Sequence, residues 1–473
     1  MPGNVAAVSE GAAEKMAGAR NERRPLRKPA ANQQTPSEGA AEKVAEARNE
    51  SKPARQTRSE PSGAGSLDVR LITENEVAAW NRAKNTGFLR ALAEADPDPV
   101  RSGLLFDRTW AGFDGDQVVS TLRSFPVEVT LPGGRAVPAD AVTGVTTAAT
   151  HRRRGLATRM VTADLSAAKE RGEACAVLIA MEWPIYGRYG YGPATEHQLL
   201  TVQAPVTFTA PVGPESGRVR YIDAQTSRRL APVVWEGHRG RSAGEISRDE
   251  RAWDFRYGLL QIPGLPEPKP LFHVLAEDPA GNPVGLVRYQ TEYQETARVP
   301  AAELTVHELV AATEAAELML WHHLLSVDLI GTIKAGDRPV DEPLPWWLDN
   351  ARSARPTERS DMLWLRPLDV PRLLSERSYW TTGSVVLEVA DPLGYAAGRY
   401  RLEAAPDGAS CVPTDSSADL TLSVSALASV LLGGYPLTAL HAAGQADEHS
   451  AGAIERATVL LRTPRQPWCA TWF

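Results

Sequence analysis

Ala141-Val-Thr-Gly-Val-Thr-Thr147, followed by Thr150-His-Arg-Arg-Arg-Gly-Leu-Ala157 and a helical run to Arg171, is the stretch on which the reading of this chain turns. The first segment is small and β-branched, as a strand would be. In the last, Leu156, Met160, Val161, Leu165 and Ala168 fall on one face at helical spacing. Three consecutive arginines, Arg152, Arg153 and Arg154, open that helix. The amino end of a helix already carries partial positive charge from its unpaired N–H groups, so such a cluster calls for an anion. Gly155 lets the backbone come close to a ligand, the free amides point at it, and the guanidinium groups neutralise it. Together they make a pyrophosphate cradle. Taken alone, the arginine run fits a solvated basic turn or an RNA-contacting patch equally well.

The flanking sequence supplies context. Ala174 to Met181, ACAVLIAM, reads as a strand covered on both faces, so the stretch from Ala141 is a strand, helix, strand crossover on a mixed sheet. Upstream, Leu67 to Thr73 alternates at strand period before a helix near Glu74. Strand-like segments at Leu104 to Trp110 and Gln117 to Pro126, with turns at Gly112 to Gly115 and Pro132 to Gly134, predict an antiparallel meander. The plan recurs between Val219 and about Arg355. Helical stretches near Ser227 to Gly237 and Arg248 to Leu260 precede a hairpin, Leu271 to Ala276 and Pro283 to Thr291. A strand near Ala302 to Val306, a helix near Glu308 to Leu325 and a strand near Ile330 to Ala335 follow. This second copy has no arginine and glycine turn. From about Asp361 the pattern changes, with strands at Gly383 to Val389 and Gly398 to Ala404, a helix near Ser425 to Leu432 and a last aromatic strand, Gln466 to Phe473.

With 473 residues, 43% hydrophobic and 23% charged, the chain is long enough for about three domains. The first 66 residues lack aromatics and repeat one segment, SEGAAEKMAGARN at Ser9 to Asn21 and SEGAAEKVAEARN at Ser37 to Asn49. Such sequence buries too little apolar area to offset chain entropy and predicts a disordered tail. Eleven Lys/Arg against eight Glu give that tail +3, leaving −10 of the net −7 on the remainder. The expected boundaries are a tail at 1–66, a catalytic domain at 67–215, a degenerate copy at 216–360 and a distinct C-terminal domain at 361–473. No stretch approaches the roughly 18 to 20 apolar residues that cross a bilayer, so no membrane span and a cytoplasmic location are expected. Cys175, Cys411 and Cys469 are scattered singly, which points to buried small hydrophobes and to no metal site. The acidic balance argues against a nucleic-acid partner and favours cationic, amine-bearing substrates.

The spacing Arg152-x-x-Gly155-x-Ala157, directly after a strand and opening an amphipathic helix, resembles the acetyl-CoA motif of the GNAT acetyltransferases. The resemblance implies that acetyl-CoA, a cosubstrate, lays its pantetheine along Val145, Thr146 and Thr147. Downstream, Ile185-Tyr-Gly-Arg-Tyr-Gly-Tyr-Gly-Pro193 closes the site. Tyr186 falls one short turn beyond the strand end at Met181, where the thioester sulfur would emerge and a phenol can protonate the departing thiolate. Tyr189 and Tyr191 read as turn packing. The joined stretch ATHRRRGLATRM and IAMEWPIYGRYGYGPAT is similar to the Eis (enhanced intracellular survival) branch of the GNAT superfamily over about Leu67 to Phe473. That resemblance implies an α/β (α+β) architecture: tandem GNAT folds with mixed central sheets, then a sterol-carrier-like α/β domain. It also implies Tyr186 as general acid, a cofactor site at Val145 to Thr147, Arg152, Arg153, Arg154, Gly155, Leu156, Ala157, Thr158, Met181 and Glu182, and a homohexamer.

In the Eis branch the terminal carboxylate enters the catalytic site, and here the end reads Gln466-Pro-Trp-Cys-Ala-Thr-Trp-Phe473. An amine nucleophile must lose a proton before it attacks a thioester, and the Phe473 carboxylate, or a water held by it, is a candidate base. Simple packing of Trp472 and Phe473 against a strand explains the same residues. The chain departs from aminoglycoside-acetylating relatives at Trp472, where they carry an acidic residue. The resulting expectation is acetyl transfer to a primary amine of a small molecule, peptide or protein lysine. The alternative is a vestigial acetyl-CoA site in a protein that binds lipid or a partner through its C-terminal domain.

Overall fold

The computed structural model describes residues 67–90, 98–261, 269–293 and 302–473, so the predicted N-terminal tail lies outside the described residues. The chain enters on β1 (Leu67–Leu71), passes through α1 (Val77–Gly87) and the short α2 (Asp98–Arg101), and forms an antiparallel meander of β2 (Thr109–Asp114), β3 (Gln117–Thr130) and β4 (Ala136–Thr147). The helix α3 (Leu156–Glu170) then crosses to β5 (Cys175–Ile179), which runs parallel to β4. The predicted apolar face of α3 is the buried one, with Asp164 added to it. A helical turn, α4 (Trp183–Tyr186), leads to the short β6 (Gly192–Pro193).

The second unit repeats this course. After β7 (Glu196–Gln203) and β8 (Arg218–Ile222) come α5 (Ala224–Arg239), α6 (Glu250–Arg256), β9 (Phe272–Glu277), β10 (Pro283–Glu292) and β11 (Ala302–Ala311). A crossover through α7 (Glu314–Leu325) reaches β12 (Ile330–Arg338), again parallel to its predecessor, and β13 (Ala354–Asp361) and β14 (Leu363–Pro367) follow. The remainder packs α8 (Val370–Glu376) and α9 (Val424–Leu431) on a five-stranded sheet. Seven of the eight residues of α9 are buried, as expected of a helix apolar on all sides. It joins Leu427 and Leu431 to Val137, Ala139 and Leu365 of the first sheet in one hydrophobic cluster.

The sheets do not respect the expected boundaries at 215/216 and 360/361. The first is ordered β1-β2-β3-β4-β5-β14-β6, and the second β13-β7-β12-β11-β10-β9-β8. Each half thus receives a strand from beyond its own stretch: β7 lies between β12 and β13, and β14 closes the gap between β5 and β6. Strand alternation says which residues can pair but not with which sheet. Three local expectations also change. Leu104 to Arg108 is mostly a 3-10 turn, and Gly112 lies inside β2, so the turn is at Gly115. Glu308 to Ala311 continues β11, because the Glu308 carboxylate is anchored by Arg248 at 2.6 Å and Arg288 at 2.9 Å. Gln466 to Phe473 is extended but joins no sheet: Ala470 N–H donates to Glu245 Oε1 at 2.7 Å and Trp468 N–H to the Ala243 carbonyl at 2.8 Å. Pro467, within it, has no N–H to give a ladder. Cys175, Cys411 and Cys469 are buried free thiols. Among the described residues no helix is long and apolar enough to cross a membrane.

Candidate active site

The site begins where β4 loses its partner. The pairing of β4 with β5 covers only Ala139↔Cys175, Asp140↔Ala176 and Ala141↔Val177, while β5 continues against β14 on its other side. From Val142 to Thr147 the edge of β4 that faced β5 has no strand partner, so its peptide groups are open to an extended ligand. The opposite edge stays paired with β3, but with a bulge. Thr121 opposes Thr146 and Arg123 opposes Thr143, which leaves an extra residue on β4, and Gly144 sits there at φ 66°. A bulge re-aims the strand, and positive φ suits glycine. Thr146 and Thr147 turn their hydroxyls back to β3, onto Thr121 Oγ1 at 2.8 Å and Ser120 Oγ at 2.7 Å. Val145 is half-buried beside them.

At the mouth of this fork the loop into α3 adopts left-handed φ at Arg153 (64°) and Gly155 (79°). The α3 N-terminus has no capping side chain and no acidic residue in its first turn, so its amides remain available. Arg152, Arg153 and Arg154 are exposed, Leu156 is buried as the anchor, Ala157 is half-buried, and Thr158 Oγ1 meets the Tyr189 hydroxyl at 3.1 Å. Across the mouth, Met181 and Glu182 are exposed on the loop after β5, and Arg152 comes within 3.9 Å of Glu182. So exposed a pair adds little stability, but it marks the two lips of one opening.

Tyr186 belongs to the hydrophobic cluster that holds Val142 of β4 and Leu178 of β5, with Val145 packed against it. Burial pushes the Tyr186 phenol up to about 12, so it stays protonated at neutral pH, and its hydroxyl has no hydrogen-bond partner among the described residues. Tyr191 is wholly buried with its ring edge-on to Tyr186 at 6.0 Å, in keeping with a packing role. Phe473 arrives from the other end of the chain. Its main-chain oxygen accepts a bond from Thr143 Oγ1 at 3.3 Å, and its ring stands edge-on to Phe125 at 5.7 Å. Tyr186 and Phe473 thus border the same stretch of β4, Val142 to Val145, from two different hydrophobic clusters.

Several contributors went unread in the sequence. Arg366 and Asp391, both fully buried, pair at 2.8 Å while Arg366 Nε donates to the Tyr189 carbonyl at 2.6 Å, which ties the loop carrying Tyr186 to the C-terminal domain. Glu245 holds the terminal segment, with Thr471 bonded both to it at 3.3 Å and to Arg248 at 3.0 Å. Beneath α3, Asp140 and Asp164 face each other as hydrogen-bonded carboxyls, and burial followed by the Asp164 charge pushes Asp140 well above the carboxylate range. A glycine inside a strand pattern was the one legible signal, at Gly144. A cavity of about 300 Å³ lined by Gly134, His238, Arg338, Trp380 and Trp468 lies apart from these residues.

Comparison with known proteins agrees with this geometry. Residues 68–194 match the family model of an acetyltransferase (GNAT) domain, 244–367 match a second acetyltransferase (GNAT) domain, and 370–470 match a sterol carrier protein domain. The class so defined is a GNAT N-acetyltransferase with a duplicated fold. A Streptomyces avermitilis protein described as an uncharacterized N-acetyltransferase is 44% identical over 413 residues, covering 86% of this chain and 99% of the relative. N-acetyltransferase Eis of Mycobacterium tuberculosis is 33% identical, over 72% of this chain and 82% of its own. The crystal structure of Eis1 from Mycobacterium abscessus superposes with a TM-score of 0.76 at 30% identity, over 86% of this chain and all of that one. The chain belongs to the Eis family of GNAT N-acetyltransferases.

Proposed function

We propose that this acetyltransferase moves the acetyl group of acetyl-CoA directly to a primary amine of a small molecule, peptide or protein lysine. The observation that carries the reading is the parting of β4 from β5, with three exposed arginines on the turn into α3 and a protonated phenol in the cluster that joins the two strands. The open edge of β4 at Val145 to Thr147 holds an extended pantetheine by main-chain bonds, and Arg152, Arg153, Arg154 and the amides beyond Gly155 hold the diphosphate. Leu156, Ala157, Thr158, Met181 and Glu182 form the walls. The Phe473 carboxylate, directly or through water, takes the proton of the amine. The amine nitrogen bonds to the thioester carbon, the carbon–sulfur bond breaks, and Tyr186 gives its proton to the thiolate. No metal is needed for these steps. By likeness to its relatives we extend the reading to a homo-oligomer, a hexamer in the Eis pattern, acting in the cytoplasm.

The test is CoA release against an amine panel by the full chain, by Tyr186→Phe and by a chain extended a few residues beyond Phe473. Loss of a placed general acid should lower kcat by about 10² to 10⁴. The extension should do the same, and an extended chain of full activity would remove the terminal carboxylate from the mechanism. If the site were vestigial, acetyl-CoA at a hundred times its Kd would fail to raise stability by the expected ~2.7 kcal/mol.

A further inference from the structure

Where α1 passes over the bulge of β4, two basic side chains meet. A β-carbon built on Gly144 would stand 3.7 Å from Trp80, 3.8 Å from Arg123 Cγ and 3.8 Å from Lys84 Cδ. Lys84 thus reaches the bulge from the helix, and Arg123 reaches it from β3, directly opposite Thr143. Thr143 is the residue that holds the chain terminus. Phe125 ties the group together, with the Arg123 guanidinium 5.6 Å over its ring and the Phe473 ring at its edge. Lys84, Arg123, Phe125, Thr143 and Phe473 are all half-buried, so the spot is reachable from solvent.

These cations are handled unlike others in the protein. Arg108, Arg248, Arg288, Arg338 and Arg366 each have a carboxylate within 2.9 Å. Arg123 instead donates to the Gly103 carbonyl at 2.9 Å, and Lys84 lies 5.5 Å from the Trp80 ring; neither forms an ion pair among the described residues. Arg251 faces Arg123 as well, and so does the Asp249 carboxylate at the start of α6. Burial, then Arg123 and Arg90, hold Lys84 down to about 8, the mark of a cation short of a counter-charge. Charges taken out of water are normally paired, and two neighbouring cations with no carboxylate at ion-pair distance among the described residues are a place prepared for an anion.

Resting on the acetyl-transfer reading above, we infer that Lys84 and Arg123 form an acceptor subsite for a carboxylate carried by the amine substrate, so that aminocarboxylates are preferred over polycationic amines. The acceptor's ammonium end then faces the Phe473 carboxylate and its carboxylate faces Lys84 and Arg123, a complementary arrangement of charge.

The experiment compares kcat/KM of the full chain for matched acceptors, β-alanine and γ-aminobutyrate against ethylenediamine and putrescine, with acetyl-CoA saturating. A lysine-ended peptide with a free or an amidated carboxyl end separates a free amino acid from a peptide terminus as the source. The aminocarboxylate of each pair should win by about tenfold or more, the scale of one charge-assisted bond. Lys84→Gln, on a helix surface, should narrow that ratio without changing acetyl-CoA affinity, Lys84→Glu should turn it toward the diamine, and Arg123→Lys should keep part of it. Diamines used as well as aminocarboxylates by the natural chain, or a ratio untouched by Lys84→Gln, would overturn the inference while acetyl transfer stands. Failure to acetylate any amine would instead refute the acetyl-transfer reading itself.

Discussion

In the first GNAT fold β4 and β5 stay together for three residue pairs and part; in the second, β11 and β12 keep five pairs before parting. Both inner strands carry a register shift, at Gly144 in one and beside His307 in the other. What differs is the content of the fork. In the second copy it is filled from within: Arg338 donates to the Leu309 carbonyl at 2.7 Å, to Glu342 at 2.7 Å and to Glu317 at 2.9 Å. The N-terminus of α7 is capped by Thr313 and carries Glu314 and Glu317 in its first turn, where α3 has neither cap nor acid. A guanidinium thus takes the place that an extended ligand would take in the first copy, and the helix has its own anions. The duplication teaches that the topology opens the sheet, but the side chains decide whether the opening is a binding site or part of the core.

The largest effect should come from breaking that plug. Arg338→Met leaves Glu317 and Glu342 facing each other in the interior, where burial already pushes Glu342 up to about 7, and should cost about 3–5 kcal/mol in denaturant unfolding. Acetyl-CoA affinity measured by calorimetry should stay as it was; a second binding event would show that an emptied fork is enough. Next in size is the opposite change. Replacing Arg152, Arg153 and Arg154 together by Gln should weaken CoA binding by about a hundredfold and leave stability nearly unchanged, since these side chains are exposed. An affinity within about twofold of the natural chain would mean that the amides of α3 do the work alone.

The smallest effect concerns how each half handles its buried acids. The second sets Arg338 between two glutamates. The first keeps Asp140 and Asp164 hydrogen-bonded to each other, with Asp140 raised first by burial and then by its neighbour. A raised carboxyl adds stability that is complete below its unfolded value and is lost as pH climbs through the folded one. The natural chain should therefore lose melting temperature as pH rises above the usual carboxylate range. Asp164→Asn should flatten that slope and gain about 1 kcal/mol at the alkaline end. An unchanged slope would mean that Arg108, 2.8 Å from Asp140, already balances the pair.

Much of the molecule was readable before any coordinates. The crossover at Ala141 to Met181 was legible because helix and strand periods are local, and the arginine run stood out because charge at a helix start is unfavourable without a partner. The position of Tyr186, one short turn beyond a strand end, was legible in the same way. The terminal aromatic segment was read correctly as tied down and wrongly as a strand, since its bonds go to Glu245 and Asp341 rather than to a ladder. Arg366 and Asp391, 25 residues apart, carried no motif at all.

By itself the sequence determined the elements, the duplication and the cationic opening of α3, all properties of neighbouring residues and their spacing. Only the tertiary structure decided that β7 and β14 change sheets, that the last residue lands on Thr143, and that Lys84 and Arg123 meet there with no ion-pair partner among the described residues. Those outcomes depend on burial and on pairing between distant segments, and the energy of a charge is set by what surrounds it in space rather than by its place along the chain.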